Sequence, residues 1–86
     1  MRFAIQDYHS IFDLNEIMNH IAYQEGCMRW KGSHKGLVAI RIIRYDGQLI
    51  SCSVLDILSA ILADRFVNRT NRKCKYKYCI NPMHYL

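Results

Sequence analysis

The strongest apolar pattern in the sequence lies directly after Ser53. In the stretch VLDILSAILADRF, apolar residues occupy most of the circumference of a helix, and a helix of that kind must be buried on several sides. Ser53 and Asp56 form a capping-box pattern, which predicts where this helix begins. We therefore expect the helix at the centre of the core, and we interpret Cys52, just ahead of it, as a small buried thiol rather than a ligand.

A shorter helical pattern occupies the N-terminal region. Apolar residues recur at helical spacing from Leu14 onward, after a second capping-box pair formed by Ser10 and Asp13. Gly26 interrupts the pattern and is a helix-stop signal. The sequence thus predicts a first helix over residues 11–24 with one apolar face.

The remaining patterns predict a hairpin and an irregular tail. Residues 37–43 are mostly apolar and β-branched, and a turn signal at 45–47 separates them from a second apolar stretch at 48–52. After Phe66 the chain becomes polar and basic, and Pro82 excludes a continuing helix there. This tail is predicted to be a loop or short hairpin that needs something other than an apolar face to hold it.

Residues 1–86 are therefore predicted to form one small α+β domain with two helices, a β-hairpin and the C-terminal tail. The apolar fraction of 51% and the small number of prolines and glycines exclude a disordered chain. No apolar run approaches the roughly 18 residues of a membrane span, and the start MRFAIQDYHS lacks a signal-peptide pattern. We expect a cytoplasmic protein, in which four cysteines favour metal ligands or buried thiols over the alternative of a disulfide framework.

The net charge of +5 is concentrated in the tail. Residues 1–30 carry more acidic than basic side chains, whereas residues 65–86 contain no acidic residue at all. The basic residues of the tail are Arg65, Arg69, Arg72, Lys73, Lys75 and Lys77. Such a segment favours an anionic partner, most simply the phosphate backbone of DNA or RNA. The alternative is a solvated basic face that only keeps a small domain in solution.

The tail also contains donors for a metal ion. Cys74, Cys79 and His84 lie close together in the sequence, and structural zinc sites usually take four such ligands. Cys27 is the preferred fourth ligand because it follows Gly26 in a turn region. The other candidates are Cys52, His9, His20 and His34. One structural Zn²⁺ would explain how a tail without an apolar face is ordered, because metal binding contributes folding free energy.

Three stretches resemble the zinc-containing HNH endonucleases common in phages: residues 27–36, 43–62 and 74–86. Those proteins carry a Cys-x-x-Trp followed by Gly, a short strand pair, a helix, and a Cys-x4-Cys-x-Asn-Pro-x-His segment. The resemblance leaves residues 1–26 outside, as an N-terminal helical addition. The most specific matching residues are Cys27, Trp30, Cys79, Asn81, Pro82 and His84. The resemblance implies that the zinc ligands are Cys27, Cys74, Cys79 and His84.

Two departures from the family bear on activity. The family's general base is a histidine two residues ahead of the first cysteine of the pair, and here Arg72 occupies that place. Arginine stays protonated and cannot accept a proton from water. The family also has a helix after the metal-binding histidine that binds the catalytic ion, and this sequence reaches only Leu86. We therefore expect a catalytically inactive HNH-like scaffold, which resembles an endonuclease but has lost the enzymatic activity.

The first functional hypothesis is a zinc-stabilised nucleic-acid-binding or regulatory protein, phage-encoded, with a role such as transcription regulation. The basic residues expected to meet phosphates are Arg69, Arg72, Lys73, Lys75 and Lys77. Tyr76 and Tyr78 are expected to stack on bases or pack on sugars, or alternatively to fill the core around the zinc. The period of two along residues 73–77 predicts a strand with its lysines outward.

Two further hypotheses remain open. A small inhibitor or adaptor of a host protein such as RNA polymerase would use the predicted first helix, whose Asp13 and Glu16 could dock on a basic surface. The alternative for that helix is that it only covers the core. A working nuclease would need a displaced base, for which His9 and His34 are the candidates.

Overall fold

A computed structural model describes residues 2–86, in which α-helices and antiparallel sheets confirm the predicted α+β fold class. Three α-helices are present, along with a two-stranded and a three-stranded antiparallel sheet. The helices are α1 (Ile5–Ile11), α2 (Leu14–Met18) and α3 (Val54–Ala63). The strands are β1 (Ile21–Gln24), β2 (Cys27–Trp30), β3 (His34–Lys35), β4 (Val38–Tyr45) and β5 (Gln48–Ser53). Two 3-10 turns, Arg69–Asn71 and Pro82–His84, lie in the tail.

Helix α3 forms the centre of the core, as its sequence predicts. Ser53 caps it, because the Ser53 hydroxyl accepts a hydrogen bond from the Asp56 backbone N–H at 3.4 Å. The side chains of α3 that are buried are Val54, Leu55, Ile57, Leu58, Ser59 and Ala60. Cys52 at the end of β5 is also fully buried, which confirms its interpretation as a core thiol. Among residues 2–86, no helix has the length and apolarity to cross a membrane.

The predicted hairpin is confirmed as β4 and β5. Tyr45 pairs with Gln48, so the loop consists of Asp46 and Gly47 alone. Both loop residues have positive φ (53° and 78°), which is the conformation of the tight turn that matches strand twist. Strand β3 pairs with the other edge of β4, which leaves β5 as the second edge strand.

The predicted helix over residues 11–24 is wrong, and so is the capping box at its start. Ser10 lies inside α1, and its hydroxyl donates to the Asp7 carbonyl at 3.1 Å. The backbone is extended at Phe12 and Asp13, and Asp13 caps the short helix α2 by accepting from the Asn15 N–H at 3.0 Å. The chain therefore starts a new helix where the pattern predicted a continuous one, and residues 2–86 contain three α-helices instead of the predicted two.

The second half of that predicted helix forms strand β1. Gln24 pairs with Cys27, so Glu25 and Gly26 form a second two-residue hairpin loop, again with positive φ at both residues (50° and 81°). Gly26 thus ends a strand rather than a helix. The result is an additional hairpin, β1 and β2, that places Cys27 directly after its turn.

Trp30 joins the two sheets. It pairs with Ile21 in the first sheet, and its indole N–H donates to the Ile40 carbonyl of β4 at 3.1 Å. Its side chain is only 2% exposed, and the His20 ring packs on it with centroids 5.5 Å apart. Gly32 is needed nearby, because a Cβ there would lie 2.5 Å from the indole nitrogen. Trp30 is therefore one of the buried side chains that hold the β1–β2 hairpin against the rest of the domain.

Candidate metal centre

Four side chains compatible with a single metal site come together between the β1–β2 hairpin and the tail. The ligand atoms of Cys27, Cys74, Cys79 and His84 all lie within 4.8 Å of one another. The Nδ1 atom of His84 is 3.3 Å from the sulfur of Cys27 and 3.4 Å from that of Cys79. All four cysteines of the chain are free thiols, so the alternative of a disulfide framework is not borne out. The predicted ligand set is the set that the fold assembles.

The two distances from the His84 nitrogen fit a tetrahedral site. With metal–sulfur and metal–nitrogen bonds of about 2.3 and 2.1 Å, neighbouring ligand atoms lie about 3.5–3.8 Å apart. The two sulfur–nitrogen distances are within a few tenths of an ångström of that spacing. Cys27 and Cys79 are buried, while Cys74 and His84 are partly exposed, so the site is reached from one side. The arrangement is compatible with one metal ion held by three sulfurs and one nitrogen.

Cys79 is positioned because the tail adds to the edge of β2. Cys79 forms an isolated antiparallel bridge with Arg29, and the Ile80 N–H donates to the Met28 carbonyl at 2.9 Å. The Tyr85 hydroxyl donates to the Cys79 carbonyl at 2.6 Å from the buried side. These contacts bring Cys79 beside Cys27, which is the first residue of β2.

His84 is positioned by the residues before it. Asn81 caps the 3-10 turn Pro82–His84 by accepting from the Met83 N–H at 3.0 Å, and Pro82 occupies the first position of the turn. The Asn81 amide also donates to the Gly26 carbonyl at 3.1 Å, which ties this turn to the β1–β2 loop. The Asn-Pro pair therefore aims His84 at Cys27, a positioning role that the sequence interpretation did not assign to Asn81.

Cys74 lies in the first part of the tail, which runs beside the turn Pro82–His84. The Lys73 N–H donates to the His84 carbonyl at 2.7 Å, which brings the two parts of the tail together. Arg72 stabilises the same bend, because its Nε donates to the Cys74 carbonyl at 2.9 Å. Backbone contacts thus set the ligand pair Cys74 and His84. The tail also packs through apolar side chains, since Val67, Ile80 and Tyr85 are buried, so the prediction of a tail without an apolar face is wrong.

The thiols interact strongly with one another in the absence of an ion. Burial, together with hydrogen bonds to Cys79 and Cys74, raises the pKa of Cys27 to about 12. Burial also opposes ionisation of Cys74, but its hydrogen bonds with the Tyr76 backbone, His84 and the other thiols outweigh burial and lower its pKa to about 7. Cys74 therefore ionises readily at neutral pH, whereas Cys27 needs a nearby cation to be stabilised as a thiolate.

Metal affinity is expected to fall as pH falls. A ligand must lose its proton before it binds the ion, so protons compete with the metal. Above pH 7 the Cys74 thiol is already ionised, but Cys27, with a pKa of about 12, still releases a proton on binding. Below pH 7 Cys74 is protonated as well, and the affinity should decrease more steeply. Competition of Co²⁺ with a chromophoric chelator on either side of pH 7 measures this change. An affinity independent of pH would contradict thiolate ligation.

The other candidate donors lie outside the cluster. Cys52 is buried in the core, where burial raises the pKa of its thiol. His20 packs on Trp30, with its Nδ1 atom 3.1 Å from the Glu16 carbonyl. His34 packs edge-to-face with Tyr78, and His9 is exposed on α1. Only Cys27 among the candidates for a fourth ligand joins the three tail residues.

The basic residues of the tail fall into two groups. Arg69 donates to the Leu37 carbonyl at 3.2 Å, Arg72 donates to Cys74, and the Lys73 ammonium donates to the Leu86 carbonyl. Lys75 and Lys77 are exposed, and the Lys75 ammonium lies 5.7 Å from the centroid of the Tyr76 ring. The strand predicted over residues 73–77 is wrong, because the chain bends there around the ligands. The lysines still face outward.

The two tyrosines of the tail differ in their surroundings. Tyr76 is half-buried, and its hydroxyl donates to the Glu25 carboxylate, a contact that raises the pKa of Tyr76. Tyr78 is 46% exposed. Two small hollows flank the Tyr78 ring, and both are also lined by Arg29. The sequence interpretation did not single out Arg29, because only the Arg29–Cys79 bridge reveals that it lies beside the tail.

The acidic residues predicted as a protein interface have structural partners. The Asp13 carboxylate caps α2, and the Glu16 carboxylate forms an ion pair with Arg41 and lies 3.9 Å from His20.

No protein-family model, no curated protein and no solved structure matches this chain. The function must therefore be argued from the metal centre and the charges around it.

Proposed function

We propose that this chain is a zinc-stabilised nucleic-acid-binding protein with a regulatory role. Three thiolates and one imidazole favour zinc, because soft sulfur ligands in a tetrahedral arrangement suit Zn²⁺ better than the oxygen-preferring Mg²⁺ or Ca²⁺. Since the four ligands leave no coordination position open, the ion serves structure rather than catalysis. The resemblance to phage HNH endonucleases supports the same choice of metal.

The observation that carries the nucleic-acid proposal is the unneutralised charge of the tail. The ion pairs found within residues 2–86 join Arg2 to Asp56, and Glu16 to both His20 and Arg41. None of them involves a basic residue of the tail. Arg69, Arg72 and Lys73 donate to carbonyl oxygens, which orient these side chains but leave their charge intact. A fixed, unpaired basic surface attracts the phosphates of a nucleic acid.

Arg72 supports binding of nucleic acid without hydrolysis. By resemblance, Arg72 stands where an HNH nuclease has its general base, and a guanidinium cannot take a proton from water. Its Nε donates to the Cys74 carbonyl, so the side chain supports the bend that presents a metal ligand. The inhibitor or adaptor alternative loses its main support, because the amphipathic helix over residues 11–24 is not formed.

Charge reversal in the tail is expected to weaken DNA binding. The double variant Lys75→Glu with Lys77→Glu should bind duplex DNA about tenfold or more weakly, and the slope of log affinity against log salt should fall by about 0.9 for each lost phosphate contact. The matched control is Arg44→Glu, an exposed basic residue on β4, which should leave the affinity nearly unchanged. Fluorescence anisotropy at two salt concentrations measures both quantities.

Two results would count against this function. Absence of DNA and RNA binding by the zinc-loaded protein, or equal effects of the tail and β4 variants, would remove the role of the tail charges. Mg²⁺-dependent nicking of plasmid DNA would show instead that the protein is a nuclease with a displaced base.

A further inference from the structure

The most distinctive unassigned surface of the molecule surrounds Tyr78. Tyr78 is 46% exposed although it directly precedes the buried Cys79. Tyr78 and Arg29 line a hollow of about 210 Å³ together with Tyr76 and Lys77, and they also line a second hollow of about 280 Å³. Because these two residues border both hollows, they form the wall between them. We define the Tyr78 face as Arg29, His34, Tyr76, Lys77 and Tyr78.

The Tyr78 face is cationic. Arg29 and Lys77 are exposed, and neither has a carboxylate partner in the part of the chain that the structure describes. No aspartate or glutamate lines either hollow. The face therefore combines an accessible aromatic ring with two unpaired basic side chains, which is the pairing that nucleotides require: a surface for the base and charge for the phosphate.

Both the backbone and the ring of Tyr78 are held by contacts. The Cys79 N–H donates to the Tyr76 carbonyl at 3.2 Å in the turn that carries Tyr78, and Cys79 is bridged to Arg29. On the other side, His34 packs edge-to-face with Tyr78, with ring centroids 5.6 Å apart and an interplanar angle of 88°. A ring fixed in this way loses little conformational freedom when a ligand stacks on it.

Tyr76 is less suited to stacking. It is half-buried, and its hydroxyl is bonded to Glu25, whose carboxylate would repel a nearby phosphate. Tyr76 therefore belongs to the wall of the hollow, while Tyr78 presents its ring to solvent. This distinguishes two tyrosines that the sequence alone treats as equivalent.

From these contacts we infer that the Tyr78 face binds single-stranded nucleic acid, with a base stacked on Tyr78 and flanking phosphates on Arg29 and Lys77. The inference rests on the proposed nucleic-acid function and names its substrate. In a duplex each base is covered on both faces by its neighbours, so an exposed tyrosine has no base to stack on. In a single strand the base faces are accessible, and stacking on an aromatic side chain is tolerant of sequence.

The test compares a labelled single strand of mixed sequence with the duplex made by annealing its complement, using the zinc-loaded full chain. Tyr78→Leu should weaken single-strand binding by about tenfold, while Tyr78→Phe, which keeps the ring, should bind within about twofold of the unmodified protein. Neither change should alter duplex affinity. The matched control is Tyr23→Leu, a tyrosine 64% exposed on β1, which should have no effect. Zinc content and circular dichroism establish that each variant is folded.

The possible outcomes distinguish failure of the single-strand inference from failure of the proposed function. Binding of the duplex alone, or a Tyr78→Leu variant that retains single-strand affinity, would overturn the single-strand inference and leave the proposed function in place. Equal losses in the Leu and Phe variants would overturn the stacking role. Binding of neither nucleic acid would overturn both.

If Tyr78→Leu does not fold, NMR of the unmodified protein tests the stacking instead. The Tyr78 ring protons should shift upfield when the single strand is added, and unchanged signals would refute stacking.

Discussion

Replacement of Cys79 by serine is expected to abolish metal binding and to release the tail from the rest of the domain. Cys79 is 3% exposed, lies 3.4 Å from the Nδ1 atom of His84, and pairs with Arg29 of β2. Structural zinc contributes about 10–16 kcal/mol in zinc-finger peptides, which is comparable with the whole stability of about 5–15 kcal/mol of a typical domain. In a chain of 86 residues this loss should not leave the tail folded.

The measurement combines metal content by native mass spectrometry with limited trypsin digestion. The tail contains cleavage sites at Arg72, Lys73, Lys75 and Lys77, and in the variant these sites should be cut rapidly. Cys52→Ala is the matched control, because Cys52 is buried but is not part of the cluster. It should lose some stability through a small cavity and keep one metal ion per chain. A Cys79→Ser protein that retains the ion and resists trypsin would refute the proposed ligand set.

Replacement of Trp30 by alanine is expected to unfold the domain or bring it close to unfolding. Truncation of a buried tryptophan typically costs about 3–5 kcal/mol, and Trp30 is 2% exposed. It also links the sheets, since it pairs with Ile21 and its indole N–H donates to the Ile40 carbonyl. The loss therefore includes both the packing of the ring and the only side-chain hydrogen bond described between β2 and β4.

Trp30→Phe is the informative control for this prediction. It keeps an aromatic ring against His20 but loses the donor to Ile40, so its loss of stability should be smaller, about 1–3 kcal/mol. Urea unfolding followed by circular dichroism, with metal present throughout, measures both variants. Equal midpoints for the alanine variant and the unmodified protein would show that Trp30 does not join the two halves of the fold.

The parts of the fold that the sequence predicts well are those specified locally. Helix α3 follows from its capping serine and its apolar circumference, and the β4–β5 hairpin follows from the turn at Asp46 and Gly47. The N-terminal region was predicted wrongly because Ile17 and Ile21 satisfy a helical period as well as the true arrangement, in which one lies in α2 and the other in β1. The extended backbone at Phe12 and Asp13, which divides that region, has no Gly or Pro to signal it.

Three of the four proposed metal ligands could be predicted from the sequence more directly than the fourth. Cys74, Cys79 and His84 are recognisable from their spacing, whereas Cys27 had to be chosen from its position and from the family resemblance. The path of the tail could not be predicted, because it depends on contacts that are distant in sequence, such as the Asn81 amide donating to the Gly26 carbonyl. The Tyr78 face could not be predicted for the same reason, because Arg29 and Tyr78 become neighbours only when the tail pairs with β2.

The separation of 57 positions between Cys27 and His84 has a consequence for the order of folding. Closing a loop of this length is entropically costly before any contact rewards it, whereas the β1–β2 and β4–β5 hairpins close over two-residue turns. The hairpins and α3 can therefore form first, which places the Cys27 thiol before the tail residues reach it. Binding of the proposed ion would then be the last step of folding, and we expect the apo form to keep the hairpins and α3 while its tail is released.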